Sequence, residues 1–317
     1  MRTRSIIALS VAALATLALA GCSSSAAAPT ASPTSTAAAV NLCTAKVASG
    51  PVSDAVKVTG DVGAEAKISF TKPLAVSKLQ STVVKDGPGA KLKAGDLVQF
   101  ALTEFNAKTG AKNGAIGQQD GSLLPQPISP DSILGQVLGC ATVGTRVVAT
   151  IPGDENNDAS VDVVDVVKVI PNAAWGTDVA PTAGMPTVTL AADGTPKVTL
   201  PKTAMPTAFE KETLKKGDGA TIAKGDSVLV QYYGVSWNSG KVFDKSWGAQ
   251  PFGFQVGSGV VAGFSDAVTG ATVGSQVLAV LPPSAAYGAG EINDKDLKGQ
   301  TLVFVIDILG VQHAQTK

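Results

Sequence analysis

The sequence predicts an α+β protein made of two tandem copies of one antiparallel-sheet module, and three observations carry that prediction. Residues from Lys67 to Pro152 match residues from Lys197 to Pro282 at a constant offset of 130. Each copy reads as short strands divided by Gly-containing turns, with one brief helix. The third observation is local: only 5% of the chain is aromatic, yet nine of its fifteen Phe, Tyr and Trp residues fall between Val228 and Tyr287.

Taken in order, the chain opens with Arg2 and Arg4 and an apolar run from Ile6 to Ala20. That run is shorter than the ~20 residues a membrane-spanning helix needs, and it suits a signal peptide over residues 1–21. It ends in Leu19-Ala20-Gly21-Cys22, which resembles a bacterial lipobox. The alternative is a plain secretory signal followed by an incidental cysteine. The lipobox reading makes Cys22 the lipidation site, with a membrane anchor and an extracytoplasmic location. Residues 22–42 follow as a disordered tether, within which Ser23 to Ala39 is Ser, Ala, Pro and Thr with no core-forming residue.

Charge and cysteine content narrow the partners. The chain carries 25 basic and 25 acidic residues, and removal of residues 1–21 leaves 23 against 25. That balance gives no electrostatic basis for binding nucleic acid or anionic lipid headgroups. With Cys22 lipidated, Cys43 and Cys140 remain, to be read either as one disulfide in an oxidising compartment or as two buried thiols.

The repeat defines residues 43–170 and 186–313 as modules, with the Pro- and Gly-containing stretch 171–185 as their boundary. At the offset of 130, Ala141-Thr142-Val143-Gly144 falls on Ala271-Thr272-Val273-Gly274. After Pro152 the offset becomes 142, because Val163-Val164-Asp165-Val166 matches Val305-Ile306-Asp307-Ile308. The first copy is thus twelve residues shorter in one loop. Each copy has a polar lead-in and then an alternating strand, Leu97 to Phe105 or Val228 to Val235. A short helix follows, Ser132 to Leu138 or Phe264 to Val268, and a Val/Ile-rich strand closes the module.

The second copy carries an ordered set of motifs. They are Tyr232-x-Gly234, Gly240-Lys241-Val242-Phe243-Asp244, Pro251-Phe252-x-Phe254, Val260-Val261-Ala262-Gly263-Phe264, Pro282-Pro283-x-x-Ala286-Tyr287-Gly288 and Thr301-Leu302-Val303-Phe304. In this order they resemble the FK506-binding-protein (FKBP) family of peptidyl-prolyl isomerases, over Gly217 to Val311. The resemblance implies two FKBP-like domains, each a curled antiparallel sheet around one short helix with a pocket between them. It further implies that Phe264 stands where the family usually has a Trp floor, that Tyr232, Phe243, Phe252 and Phe304 form walls, and that Val260 and Val261 form the rim. Tyr287 and Asp244 are the implied catalytic residues, one a hydroxyl donor and the other a carboxylate facing the twisting amide. The Asp244-to-Pro251 spacing and the Gly257-to-Val261 turn are each one residue shorter than in the family. An Arg often found in the first of these is absent, and Glu291 to Gly299 is polar where the family has Ile and a Pro pair.

The offset also shows what the first copy lacks. Leu102 stands for Tyr232, Asn113 for Phe243, Gly114 for Asp244, Ser122 for Phe252, Leu134 for Phe264 and Asp162 for Phe304. The loop bearing Tyr287 is missing. A core would keep its apolar residues in both copies, so residues exchanged for Asn, Ser and Asp point to a cavity in the second copy. The first copy reads as a degenerate, non-catalytic module, either structural or client-binding.

Rotation about an X–Pro bond is opposed by ~18–20 kcal/mol of amide resonance. A catalyst need only hold the twisted amide better than either planar isomer, so no nucleophile, metal or cofactor is expected. His313 is the only histidine, which leaves no base for a Ser-His-Asp or Cys-His arrangement and makes a zinc site improbable on composition. No Walker sequence or EF-hand spacing occurs. The expected function is isomerisation of X–Pro bonds in extracytoplasmic proteins, with proline-containing peptides as substrates, macrolides such as FK506 as ligands, and the bilayer as a partner through Cys22. The alternative is a peptide-binding or chaperone lipoprotein without turnover.

Overall fold

The structure is a computed structural model in which residues 41–292 and 296–315 are described. The signal segment, Cys22 and the tether up to residue 40 lie outside the described residues; Asn41 and Leu42, expected at the tether's end, instead cap and open a helix whose Leu42 is buried in the first-half core. No helix among the described residues is long and apolar enough to cross a membrane.

The first half begins with two short helices, α1 (Leu42–Ala45) and α2 (Pro51–Asp54), and a hairpin of β1 (Lys57–Thr59) and β2 (Lys67–Ser69). Its sheet is formed by β3 (Gln80–Lys85), β4 (Leu97–Asn106), β5 (Lys112–Ile116), β6 (Gln126–Pro127), β7 (Arg146–Ile151) and β8 (Ser160–Ile170), with helix α3 (Ile133–Leu138) between β6 and β7. Strand order is β3-β7-β8-β4-β5, with β6 also on β4. The second half has β9 (Thr177–Asp178), the hairpin β10 (Thr187–Leu190) and β11 (Pro196–Thr199), then β12 (Glu210–Lys216), β13 (Ser227–Ser236), β14 (Val242–Lys245), β15 (Phe252–Gln255), α4 (Ala262–Val268), β16 (Gln276–Leu281) and β17 (Leu302–Gln312). Here the order is β9-β12-β16-β17-β13-β14, with β15 on β13.

The two sheets share register as well as order. Gln80 lies opposite Thr150 and Glu210 opposite Val280, both members shifted by 130. Leu97 lies opposite Ile170 and Ser227 opposite Gln312, shifts of 130 and 142. Even the irregularities coincide, at Gln99/Phe100 in one half and Leu229/Val230 in the other. One part of the offset fails. Val98 pairs with Gln126 and Val228 with Phe254, a shift of 128 on this strand. Extending that register places Leu124, rather than Ser122, at the counterpart of Phe252. Two residues are lost and regained around β6, which a gapless comparison cannot see.

The Val/Ile-rich closing strands are covered on both faces. In the second half, Phe264, Ala267 and Val268 of α4 pack against Val228, Val277, Phe304 and Ile306 on one face. The β10–β11 hairpin, through Val188 and Val198, packs on Val235, Val280, Val303 and Val305 on the other. A strand buried on both sides has no polar face to alternate, so β17 reads as an apolar run interrupted by the buried Asp307. The polar lead-in of each copy is this covering hairpin. In the first half Val58 and Ile68 take the same role.

Residues 174–178 are joined to the second sheet. The Ala174 N–H donates to Asp307 Oδ2 at 2.8 Å, and β9 pairs with the edge of β12. The halves also meet directly: Leu97 and Ile170 cluster with Leu229 and Leu309, and the His313 N–H donates to the Gly121 carbonyl at 2.7 Å. Gly310 permits this approach, since a Cβ there would come within 2.4 Å of Pro125 Cδ. Cys43 and Cys140 form a disulfide that ties α1 to the end of α3.

One buried position was solved differently in each half. Arg146 pairs with Asp165 at 2.6 Å, both almost fully buried, and its guanidinium also donates to the Gly60 and Asp61 carbonyls. Shifted by 130 and 142, these residues are Gln276 and Asp307, joined by a 2.7 Å hydrogen bond. Burial holds the Asp307 carboxyl above the usual carboxylate range, against the pull of its Ala174 and Gln276 donors.

Candidate functional site: an aromatic cavity in the second half

All nine residues expected at the site, Tyr232, Phe243, Asp244, Phe252, Val260, Val261, Phe264, Tyr287 and Phe304, line one cavity of about 230 Å³. It lies between α4 and the sheet, with residues of β13, β14, β15 and β17 in its lining. The floor is Phe264, 4% exposed, whose ring meets Phe304 at 5.0 Å, Phe254 at 5.2 Å and Tyr232 at 5.9 Å, all edge to face. Such pairings present ring edges to ring faces and hold their members rigidly. Floor and core are therefore continuous: Phe304 is a core residue and a wall residue at once.

Local backbone explains how the walls are aimed. On β14 the pairing with β13 slips between Gly234–Asp244 and Val235–Val242, leaving Phe243 as the extra residue of a bulge. A bulge redirects the side chain of its extra residue, and Phe243 turns over the sheet to meet Phe304 at 5.5 Å. Gly234 makes the room, since a Cβ there would lie 2.7 Å from Phe243 Cζ. Gly263 serves the helix in the same way, because a Cβ would strike Leu281 and the Ala285 carbonyl. The cap residue Val261 sets its backbone extended just before α4, and its N–H has no hydrogen-bond partner among the described residues.

The polar groups sit at the mouth. The Tyr232 hydroxyl donates to Asp244 Oδ2 at 2.6 Å, and Asp244 Oδ1 accepts from the Lys245 N–H. Burial, with the Asp244 carboxylate beside it, pushes the Tyr232 phenol far above its usual range, so it remains a donor at any ordinary pH. Beneath this pair, the Tyr232 N–H donates to Ser246 Oγ at 2.8 Å, and Ser246 donates in turn to the buried Gln231. Tyr287, 47% exposed, follows a 3₁₀ turn over Pro283–Ala285 and stands at the rim.

Part of the aromatic concentration has another cause. Tyr233 and Trp237 belong to the opposite face of the sheet, Phe254 is core, and the Trp247 ring packs on Gly194 of the β10–β11 turn. Four of the nine aromatics between Val228 and Tyr287 are thus packing residues outside the cavity. The sequence reading missed Gly259, which lines the cavity at a positive φ of 78°, and the Tyr232–Asp244 bond. The Gly257-Ser258-Gly259 run was the available signal for the first. Of the altered rim, residues 293–295 lie outside the described set, and Leu297 packs against the core below the cavity.

The family model for FKBP-type peptidyl-prolyl cis-trans isomerase matches residues 219–309. An FK506-binding protein of Streptomyces anulatus is 35% identical over 119 residues, which cover 37% of this chain and 96% of that protein. The chain belongs to the FKBP family. A probable FK506-binding protein of Corynebacterium glutamicum is 36% identical over 115 residues, covering 36% and 96% of the two chains. Among solved structures, FkpA from Escherichia coli is 25% identical with a TM-score of 0.31, covering 42% of this chain and 54% of that one. The family match falls on the half that holds the cavity. Members of the FKBP family are peptidyl-prolyl cis-trans isomerases.

In the first half the corresponding positions make other contacts. Glu104 stands where Gly234 is, directly opposite Asp162 in the β4–β8 register, and Asn113, the bulge residue, donates to Glu104 at 2.8 Å. Burial, reinforced by Glu104, pushes the Asp162 carboxyl up to about 6.

Proposed function

We propose that this chain is a peptidyl-prolyl cis-trans isomerase acting on X–Pro bonds of extracytoplasmic proteins, with catalysis in the second of two FKBP-like domains. The observation that carries this is the convergence of all nine expected residues on one cavity whose floor is a rigid aromatic cluster. The proline ring rests on Phe264 between Tyr232, Phe243, Phe252 and Phe304. The Val261 N–H, facing no partner of its own, holds the substrate carbonyl. An amide twisted out of resonance has a less polar carbonyl and a more basic nitrogen, so a dry aromatic cavity favours it over either planar isomer. Tyr287 donates to the substrate at the rim, and Asp244, oriented by Tyr232, faces the rotating bond.

In the same reading, residues 43–170 are a degenerate FKBP-like domain, 171–185 the linker and 186–313 the isomerase domain. Residues 1–21 are removed as a lipoprotein signal, Cys22 carries the lipid, and the chain is anchored on the outer side of the cell membrane through the tether.

A protease-coupled assay on an X–Pro tetrapeptide tests the catalytic part. The full-length chain accelerates isomerisation, and the Asp244→Ala, Tyr287→Phe double variant does so at least about tenfold less, a loss of ~1.4 kcal/mol of transition-state stabilisation. A folded chain that binds the peptide without accelerating it would place the protein among peptide-binding modules instead.

A further inference from the structure

In the first half, the chain's own residues 41–48 fill the groove between α3 and β3. Leu42 is 3% exposed and belongs to the core, Cys43 is bonded to Cys140, and Lys46 lies against Gly139. The Val47 N–H donates to the Gln136 carbonyl at 2.8 Å, and the Ala48 carbonyl accepts from Ser81. The occupying piece is one helical turn, Leu42–Ala45, running into an extended stretch.

Shifted by 130, Gln136, Gly139 and Cys140 fall on Asp266, Thr269 and Gly270, and Ser81 falls on Lys211. Between α4 and β12 the second half has the equivalent groove, about 240 Å³, lined by Lys211, Lys216, Ala267, Thr269, Gly270 and Val277. The segment leading into this half takes another route. The Gly176 N–H donates to the Gly274 carbonyl and β9 lies on Lys215 and Lys216 at the strand edge, so no described lead-in segment fills the groove.

We propose that the α4–β12 groove docks a segment of another polypeptide. The segment is a helical turn running into an extended stretch, with an apolar residue at the place of Leu42 and a carboxylate four residues later at the place of Lys46. The two halves supply the charge argument. Lys46 lies within electrostatic reach of Asp86, and at the position of Asp86 the second half has Lys216. The sign is reversed, so the occupant's charge is reversed with it. Lys211 also faces the groove, its Nζ donating to the Asp266 and Thr269 carbonyls at the end of α4. Glu212 lines it too, with one carboxylate oxygen accepting from the Thr182 N–H. The Lys211 ammonium is held by these carbonyls and lies within electrostatic reach of the Asp266 carboxylate, so Lys216 is the cation that an occupant's carboxylate meets.

The groove shares the wall residue Thr269 with a cavity of about 380 Å³, which in turn shares Val260 with the aromatic cavity. Docking there does not depend on turnover.

The test uses the full-length chain and a fluorescent octapeptide with the sequence of residues 41–48, carrying serine for Cys43 and glutamate for Lys46. It contains no proline. By anisotropy it binds saturably, the peptide that keeps lysine binds about tenfold more weakly, and replacing its leucine by serine abolishes binding. Lys216→Glu inverts the order of the glutamate and lysine peptides and leaves tetrapeptide isomerisation unchanged. Excess FK506, which the proposed function places in the aromatic cavity, does not displace the peptide. Equal binding of the two peptides, binding of neither, indifference to Lys216→Glu, or displacement by FK506 would each overturn the proposal, whatever the isomerisation assay shows.

Discussion

The Tyr232 hydroxyl donates a 2.6 Å hydrogen bond to Asp244, joining a cavity wall to the carboxylate at its mouth. The first half has Leu102 and Gly114 at these places, so the bond exists in one half alone. Tyr232→Phe keeps the ring and its edge-to-face contacts and frees the carboxylate. The expected result is an unchanged thermal midpoint within about 2 °C and a kcat/KM for an X–Pro peptide lowered about tenfold. A variant with unaltered kcat/KM would remove Asp244 orientation from the mechanism.

Phe264 is both floor and core, and the first half offers its own replacement, Leu134. Phe264→Leu is a moderate core change, expected to cost about 1–2 kcal/mol of stability. Proline-peptide binding is expected to fall by a larger factor than stability alone predicts, because three ring contacts are lost at once. Calorimetric titration of an X–Pro peptide into the folded variant checks it.

Asp162 makes the first half pH-dependent. Its folded carboxyl titrates at about 6, raised by burial first and by Glu104 second, against an ordinary value near 3.8. A raised acid is favourable to the fold while protonated, so its contribution is full below pH ~4 and is lost as pH rises through about 6. Asp162→Asn removes that dependence. Above pH 7 it is expected to stabilise the chain by ~3 kcal/mol, and below pH 4 to make little difference. Thermal unfolding from pH 4 to pH 8 reads the crossover.

The Cys43–Cys140 disulfide spans a sequence separation of 97 and pins the segment that fills the first groove. Its removal by Cys140→Ser is expected to cost about 2–5 kcal/mol in the first half. The cavity lies in the other half, so isomerisation at 25 °C is expected to stay within twofold. A parallel loss of activity would show that the halves are functionally coupled.

Much of this was legible in the sequence, for identifiable reasons. The duplication showed because strand register must be kept to keep side chains on their faces, and a constant offset is what kept register looks like. The cavity showed because the first copy had lost its walls and kept its skeleton: Asn113 and Asp162 stand where Phe243 and Phe304 do. What stayed hidden depends on contacts between distant segments. Leu124 takes the counterpart of Phe252 because two residues move across β6, which alters no count over the whole copy. Trp237 and Tyr233 read like pocket residues until the β10–β11 hairpin is seen on the other face of the sheet. The groove beside α4 has no motif at all, and only its filled twin in the first half gives it meaning.

The central claim is that one cavity, in the second half, holds the proline and does the catalysis. Calorimetric titration of the full-length chain with FK506, with isomerisation followed in the same samples, tests it most directly. The account predicts one equivalent bound per chain and loss of isomerisation in proportion to occupancy, both abolished by Phe264→Ala in a chain whose first half still unfolds normally. Two equivalents per chain, or full occupancy with isomerisation intact, would contradict it.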